Sequence, residues 1–517
     1  MRTKFYTPRI LAAIACLVFV TSCDKSITVS EQLTPLKPAD IDKDAGDWSM
    51  IYMSSPTQIS VPVPADINSD AYKAELASLK DIQSKLNQNQ RNAIEYWSGG
   101  GVLRWNQIFR ELVARYNLPP SPNADGTYPA PDAENPFNNP QFPFSNPPYA
   151  SRSYAYVSAT VYDALKAAWY YKRLYNRPAP YKTDSGVTAL MPQTDLPAYP
   201  SEDAVMSGAA AEMLKVLFPA AVEEITLKAG EQRSAALWSG KATSSDIAAG
   251  LALGKSVADL FKSRAATDGM KGAIGTKQQW ADLKKNATSR GDTAWVSLET
   301  PPRPPMLPFF SKVTPFKMTT DDIVALRPGP PPLTSTSEMN GEVEEVKWYS
   351  NNLTRERLAI VHKWADGVGT YTPAGHWNDI AEEHIADANF SEVRAARAFA
   401  LLNMTMHNAA VACWDTKFFY FNPRPCQLDG SIKTGTGVPN FPAYVSGHST
   451  FSASGATILS YLFPDHAGDF DSYANEASMS RLYAGIHYRS DCTGGLKLGK
   501  EVGNFLINNF AKVDGAD

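Results

Sequence analysis

Ser480-Arg481-Leu482-Tyr483-Ala484-Gly485-Ile486-His487-Tyr488-Arg489-Ser490-Asp491 is the stretch on which the reading of this chain turns. Arg481 and His487 are six residues apart, about 120° round an ideal helix, so one continuous helix would splay them. Gly485 between them supplies a break that brings both side chains to one point. His487 and Asp491 are four apart, on one face if the following helix includes both. A carboxylate so placed orients an imidazole and strengthens it as ligand or nucleophile. By itself the stretch also reads as an ordinary salt-bridged helix end.

Working towards the N-terminus, Phe441-Pro442-Ala443-Tyr444-Val445-Ser446-Gly447-His448-Ser449 is a loop that runs into a helix of small residues. Helix N-termini leave amide N–H groups unpaired and attract anions. Gly447 lets the backbone approach a ligand, Ser446 adds a hydroxyl, and His448 in the first turn is placed for acid–base work. A serine N-cap beside a surface histidine is the plainer alternative. Further upstream, Lys417 and Arg424 stand two helical turns apart, but Pro423 and Pro425 end the helix near Asn422. Arg424 is therefore expected on an extended exit, its fork preset for an oxyanion. Together the three blocks hold three cations, two imidazoles, a hydroxyl and a carboxylate, an inventory suited to a tetrahedral oxyanion.

The rest of the chain is read as scaffold. Of its 517 residues 44% are hydrophobic and 20% charged, an ordinary globular balance, and the net charge of -4 gives no sign of a nucleic-acid partner. Apolar residues recur at helical spacing over 72–86, 102–113, 154–175, 201–217, 220–238, 244–265, 274–285, 338–366, 376–388, 391–419, 448–462, 472–484 and 491–511. No stretch alternates strictly. The expected fold class is all-α: a large helical bundle, or two packed bundles. Proline-rich segments at 118–149 and 286–338 read as long loops, the second wrapping the surface or framing a site. The chain divides into a signal segment 1–22, a tether and N-terminal segment 23–90, an N-terminal helical part 91–340 and a C-terminal helical part 341–512 that carries the site.

Arg2, Lys4 and Arg9 precede an apolar run, 10–20, too short to span a bilayer, and Val20-Thr21-Ser22-Cys23 resembles a bacterial lipobox. Cys23 would then carry lipid. The expected location is the bacterial cell envelope, periplasmic or surface-exposed, held to a membrane only through that anchor. A plain secretory signal is the alternative. Cys413, Cys426 and Cys492 match neither a disulfide framework nor a zinc pattern.

The order of the three blocks over 414–491 resembles the type-2 phosphatidic acid phosphatase/vanadium haloperoxidase superfamily: a lysine with Arg-Pro seven on, Pro-Ser-Gly-His, then Ser-Arg, a glycine, His and Asp. Val445 replaces the proline before Ser446 and removes no catalytic group. The resemblance implies an acid phosphatase/vanadium haloperoxidase-type helical fold. It also implies that Lys417, Arg424, Ser446, Gly447 and Arg481 bind an oxyanion, with His448 as acid–base. His487, backed by Asp491, would either ligate vanadate, oxidising halide with hydrogen peroxide, or attack the phosphorus of a phosphoester. Trp414 and Phe441 resemble the aromatics on the halide side of fungal-type haloperoxidases, which tilts the expectation to that reaction, with vanadate as cofactor and peroxide and halide as small-molecule substrates. His376, at a loop-to-helix junction, could face the cleft. His362, His384, His407 and His466 are assigned to structure or surface. A lipid-anchored glycan-binding protein would also suit the length and the aromatic content, yet it gives no reason for three cations and two histidines in this order.

Overall fold

A computed structural model describes residues 27, 31–118, 124, 146–300 and 302–516. The expected signal and Cys23, and most of the 118–149 loop, lie outside these residues. The described chain is all-α, as expected, and contains no strand. Its helices are α1 (Asp70–Ser84), α2 (Gln88–Ser98), α3 (Gly101–Tyr116), α4 (Pro147–Tyr175), α5 (Pro180–Thr183), α6 (Glu202–Leu217), α7 (Val222–Trp238), α8 (Ser244–Thr267), α9 (Lys277–Leu283), α10 (Lys285–Ser289), α11 (Thr320–Ala325), α12 (Ser337–Asn351), α13 (Arg355–Lys363), α14 (Thr372–Asp387), α15 (Glu392–Tyr420), α16 (Pro425–Leu428), α17 (Gly447–Leu462), α18 (Ala467–Tyr483) and α19 (Arg489–Asn509). Hydroxyl N-caps start many of them: Ser69, Ser201, Thr243, Thr336, Thr354, Ser391 and Ser446 each accept a backbone N–H of their own first turn. The expected 338–366 helix is two helices, because Thr354 caps a new start after the chain leaves α12 at Asn352. None of the described helices is long and apolar enough to cross a membrane.

The architecture is an internal repeat. α4, α5, α6 and α7 recur as α15, α16, α17 and α18 at a constant spacing of 245 residues, starting at 147 and 392, 180 and 425, 202 and 447, and 222 and 467. The two long members, α4 and α15, both end on a left-handed residue, Asn176 and Phe421. Each repeat closes on the same ion pair: Arg152 Nε donates to Asp268 at 2.7 Å, and Arg397 Nε to Asp514 at 2.7 Å. α4 packs lengthwise on α15, so one continuous core runs through both bundles. The repeat left a sequence signal that periodicity misses: Pro197-Ala198-Tyr199-Pro200-Ser201 matches Pro442-Ala443-Tyr444-Val445-Ser446.

Extended segments bind the bundles. Residues 31–69 are packed onto the body: Asp42 pairs with Arg394, and the buried Asp163 carboxylate accepts the amides of Ile51, Tyr52 and Met53 at 2.7, 2.8 and 2.9 Å. The proline-rich segment frames the site: Trp295 N–H bonds the Phe421 carbonyl, Met306 N–H the Asn440 carbonyl, and Tyr444 Oη donates to Gly329 O.

Candidate active site

The C-terminal repeat and the segments packed on it line a cavity of about 300 Å³ whose wall includes Trp414, Phe441, Gly447, His448, Phe451, Arg481, Ile486 and His487. Local sequence sets each position. α18 ends at Tyr483, and Gly485 takes φ +73°, where a Cβ would also stand 3.0 Å from the Lys433 carbonyl. Arg481 thus lies in the last turn of one helix and His487 in the link before the next. α19 does not include His487, so the condition for a shared helix face is not met. It starts at Arg489, with Asp491 in its first turn. Asp491 Oδ2 accepts both the Tyr488 amide at 3.0 Å and His487 Nδ1 at 2.9 Å, so a helix-capping carboxylate also steers the imidazole. Ser446 N–H bonds the Asp491 carbonyl at 2.9 Å, which ties the second block to the third. Gly495 permits this closeness, since a Cβ there would lie 2.7 Å from the Ser446 carbonyl.

The cations lie around and beneath this floor. Arg424 leaves its helix in an extended conformation, φ -76° and ψ 155°, as its flanking prolines predict. Its Nε donates to Phe441 O at 3.0 Å, and one Nη donates to Ile486 O at 2.8 Å and to His487 Nε2 at 3.0 Å. Lys417 Nζ donates to Pro442 O and Ala443 O at 2.8 and 2.9 Å. Lys417 Nζ and the Arg424 guanidinium each lie 5.0 Å from the centre of the Phe441 ring. Arg481 Nε donates to Ser480 Oγ at 2.8 Å. Ser446 is the N-cap of α17, and its Oγ accepts the Ser449 amide. The plain capping role and the proposed anion contact coexist, because the cap uses a lone pair and leaves the hydroxyl proton.

This geometry fixes a tautomer. A guanidinium only donates, so His487 Nε2 is an acceptor and carries no proton. The ring proton sits on Nδ1 and is given to Asp491. Electrostatics agree: burial first, then Arg424, Lys417, Arg481 and His448, hold the His487 pKa well below its ordinary value. Burial lowers Arg424 and Arg481 to about 10, which leaves both charged. Burial also pushes Lys417 down and Asp491 up. His448 is depressed by burial and by Arg481.

The cluster suits an oxyanion. Buried charges call for counter-charge: Arg424 and Arg481 stay charged in the free protein, and an anion beside Lys417 offsets the burial that lowers its pKa. Among the described residues Arg424 Nη2 is a buried donor with no hydrogen-bond partner. Gly447 leaves its side of the cavity open, since a Cβ there would meet only Phe451 at 3.9 Å. No group of three or more His, Cys, Asp or Glu among the described residues is arranged around a metal cation. Trp414 and Phe441 form one aromatic wall, their rings 5.0 Å apart, with Trp414 Nε1 bonded to Met306 O at 3.1 Å. Sequence reasoning missed Asp366, which lines the cavity from the α13–α14 loop, because nothing local marks it.

The N-terminal repeat has no such cradle. Lys172, Ser201 and Asp246 occupy the places of Lys417, Ser446 and Asp491, and Lys172 also donates to the matching carbonyl, Pro197 O. Ala179, Glu202, Asp203, Ala236 and Ala242 replace Arg424, Gly447, His448, Arg481 and His487. There Asp203 pairs with Lys241 at 2.8 Å.

Residues 397–513 match the sequence profile of the PAP2 superfamily. No curated protein matches the chain. Solved structures do. A bacterial vanadium-dependent iodoperoxidase is 24% identical with TM-score 0.55, over 70% of this chain and 91% of that one. An apo-type bacterial vanadium-dependent chloroperoxidase is 14% identical with TM-score 0.49, over 71% of this chain and 94% of that one. The segment that builds the site thus matches the profile of the PAP2 superfamily, in a chain that shares the all-α fold of a bacterial vanadium-dependent iodoperoxidase.

Proposed function

We propose that the chain is a vanadium haloperoxidase-type enzyme, holding vanadate at His487 and oxidising halide with hydrogen peroxide. The observation that carries the reading is the unprotonated His487 Nε2, backed by Asp491 and ringed by three buried cations. Vanadate bound there would supply Lewis-acid activation of peroxide. The protein's own part is electrostatic. Lys417, Arg424 and Arg481 bind oxyanion oxygens, helped by the Gly447 amide and Ser446 hydroxyl at the start of α17. Arg424 turns its Nη from His487 Nε2 to those oxygens, which frees the lone pair for the ligand. His448, 19% exposed at the cavity, moves protons to and from the reacting oxygen. The aromatic wall of Trp414 and Phe441 supports this chemistry over hydrolysis.

One observation favours a second reading. The same unprotonated Nε2, once the Arg424 Nη turns from it, could attack phosphorus to give a phosphohistidine, with His448 protonating the leaving alkoxide and water completing turnover. Protein loaded with vanadate and assayed for peroxide-dependent halide oxidation, then assayed vanadate-free for phosphomonoester hydrolysis, decides between them. Activity in neither assay would refute both. Anchoring at Cys23 is part of the proposal, and Cys23→Ser is expected to move the protein from the membrane to the soluble fraction.

A further inference from the structure

The spacing that relates the two bundles also relates two cavities. In the N-terminal repeat Trp169, Leu196, Glu202 and Lys241 line a cavity of about 60 Å³, and their counterparts Trp414, Phe441, Gly447 and Ile486 line the oxyanion cavity. The relation is reciprocal: Glu392 of α15 lines the N-terminal cavity, and Pro147 of α4 the C-terminal one. The strap closes one wall with Leu36, Pro38 and Ile41. Met191, Thr194 and Leu196, on another wall, are part-exposed.

The polar lining of this cavity is left unpaired. Glu202 is 4% exposed and takes part in no hydrogen bond or ion pair within bonding distance among the described residues. Trp169 is 2% exposed, and its Nε1 turns to Glu202 without completing a hydrogen bond, which leaves a buried donor unmatched. Lys241 Nζ pairs with Asp203 at 2.8 Å, and an ammonium with three donors keeps others for a ligand. Glu392 accepts the Gly101 and Val102 amides at 2.6 and 3.0 Å, one on each oxygen, so each oxygen retains a lone pair. Gly100, at φ +108°, keeps the space beside that carboxylate clear, since a Cβ there would stand 3.5 Å from Leu36 and 3.9 Å from Glu392 Oε1. Burial raises the Glu202 pKa and pushes Glu392 up to about 7, a cost that an ammonium beside them offsets.

These groups select a ligand. A plain anion would meet two carboxylates. A plain ammonium would leave the Trp169 N–H without an acceptor. A molecule that carries both charges satisfies both sets, and the aliphatic wall of Leu36, Ile41, Met191 and Leu196 takes a short apolar side chain. A water needs about 10–15 Å³ of such space, so the cavity admits about four to six heavy atoms, the size of glycine or alanine. We propose that the N-terminal cavity is a second binding site, for a small free α-amino acid, whose ammonium bonds Glu202 and Glu392 and whose carboxylate bonds Trp169 Nε1 and Lys241. The site is independent of the oxyanion reading.

The test is calorimetric titration of the full chain with L-alanine at pH 8. One molecule is expected to bind per chain, with Kd about 1 mM or tighter, unchanged by saturating phosphate. Propionate lacks the ammonium and ethylammonium lacks the carboxylate, and each is expected to bind at least about tenfold more weakly. Glu202→Gln keeps the shape and should weaken alanine by about tenfold or more. Leu196→Trp fills the cavity from its part-exposed wall and should abolish binding. It leaves every charge in place, so it decides the matter if Glu202→Gln fails to fold. No binding of alanine up to about 50 mM shows that the cavity holds water only and overturns the proposal. Propionate or ethylammonium binding as tightly as alanine overturns the choice of a zwitterion. Undiminished binding in Leu196→Trp, or displacement of alanine by phosphate, puts the ligand elsewhere and overturns the site.

Discussion

Asp491→Asn separates chemistry from stability more sharply than any other change. The carboxylate lies 2.9 Å from His487 Nδ1, and burial pushes its pKa upward. Positive charge develops on the imidazole when Nε2 binds an electrophilic centre, whether vanadium or phosphorus. An opposite unit charge about 4 Å away contributes about 4 kcal/mol at an effective dielectric near 20. An Asn carbonyl keeps the hydrogen-bond geometry, because one oxygen, Oδ2, accepts both His487 Nδ1 and the Tyr488 amide. Only the charge is lost, so turnover should fall by about 10²–10³-fold, at 1.36 kcal/mol per decade. Stability should move the other way. A carboxyl whose folded pKa is raised by burial destabilises the fold as pH climbs through that pKa, so the neutral amide should raise the melting temperature at pH 8 more than at pH 5. Turnover by whichever activity the chain shows, with thermal unfolding at both pH values, checks this. Turnover within a factor of three of the parent, or a marked loss of stability at pH 8, would show that Asp491 serves only to cap α19.

Three further outcomes are expected. Arg424→Lys leaves the Phe441 and Ile486 carbonyls without the donors at 3.0 and 2.8 Å, and should cost about 2–4 kcal/mol in denaturant unfolding as well as oxyanion affinity; a loss under ~1 kcal/mol would contradict the buried network. Phosphate should bind once per chain, because the N-terminal repeat has lost its cradle. Lys417 and His448 are depressed in the free protein and an anion raises both, so binding takes up protons and weakens as pH rises through the bound-state values. Calorimetry in two buffers of different ionisation heat reads this directly, and two sites or no buffer dependence would count against it. Asp163→Ala should strip the acceptor from three amides, Ile51, Tyr52 and Met53, cost ~3 kcal/mol, and open residues near 51–59 to protease; unchanged digestion would show that the strap is held elsewhere.

What the sequence determined by itself was local or compositional. Helical spacing gave an all-α chain. Pro423 and Pro425 set the extended exit at Arg424, Ser446 the start of α17, and Gly485 the break that separates Arg481 from His487, since each acts through its own backbone. The order of the three blocks was enough to expect one oxyanion site in the C-terminal part. Only the tertiary structure decided how those groups use one another. The His487 tautomer depends on Arg424, 63 positions away, because a guanidinium can only donate. Asp491 reaches His487 through a helix cap, not along a shared helix face. Asp366 comes within 3.8 Å of His448 because a loop pinned by Asn117 crosses the cavity, and no periodicity encodes that path. The duplication was written in the chain, yet it became plain only when α4 and α15 were seen to end alike and pack together. Helix-forming patterns survive many substitutions, whereas of the site positions only Lys172, Ser201 and Asp246 in the N-terminal repeat keep the residue type of their counterparts.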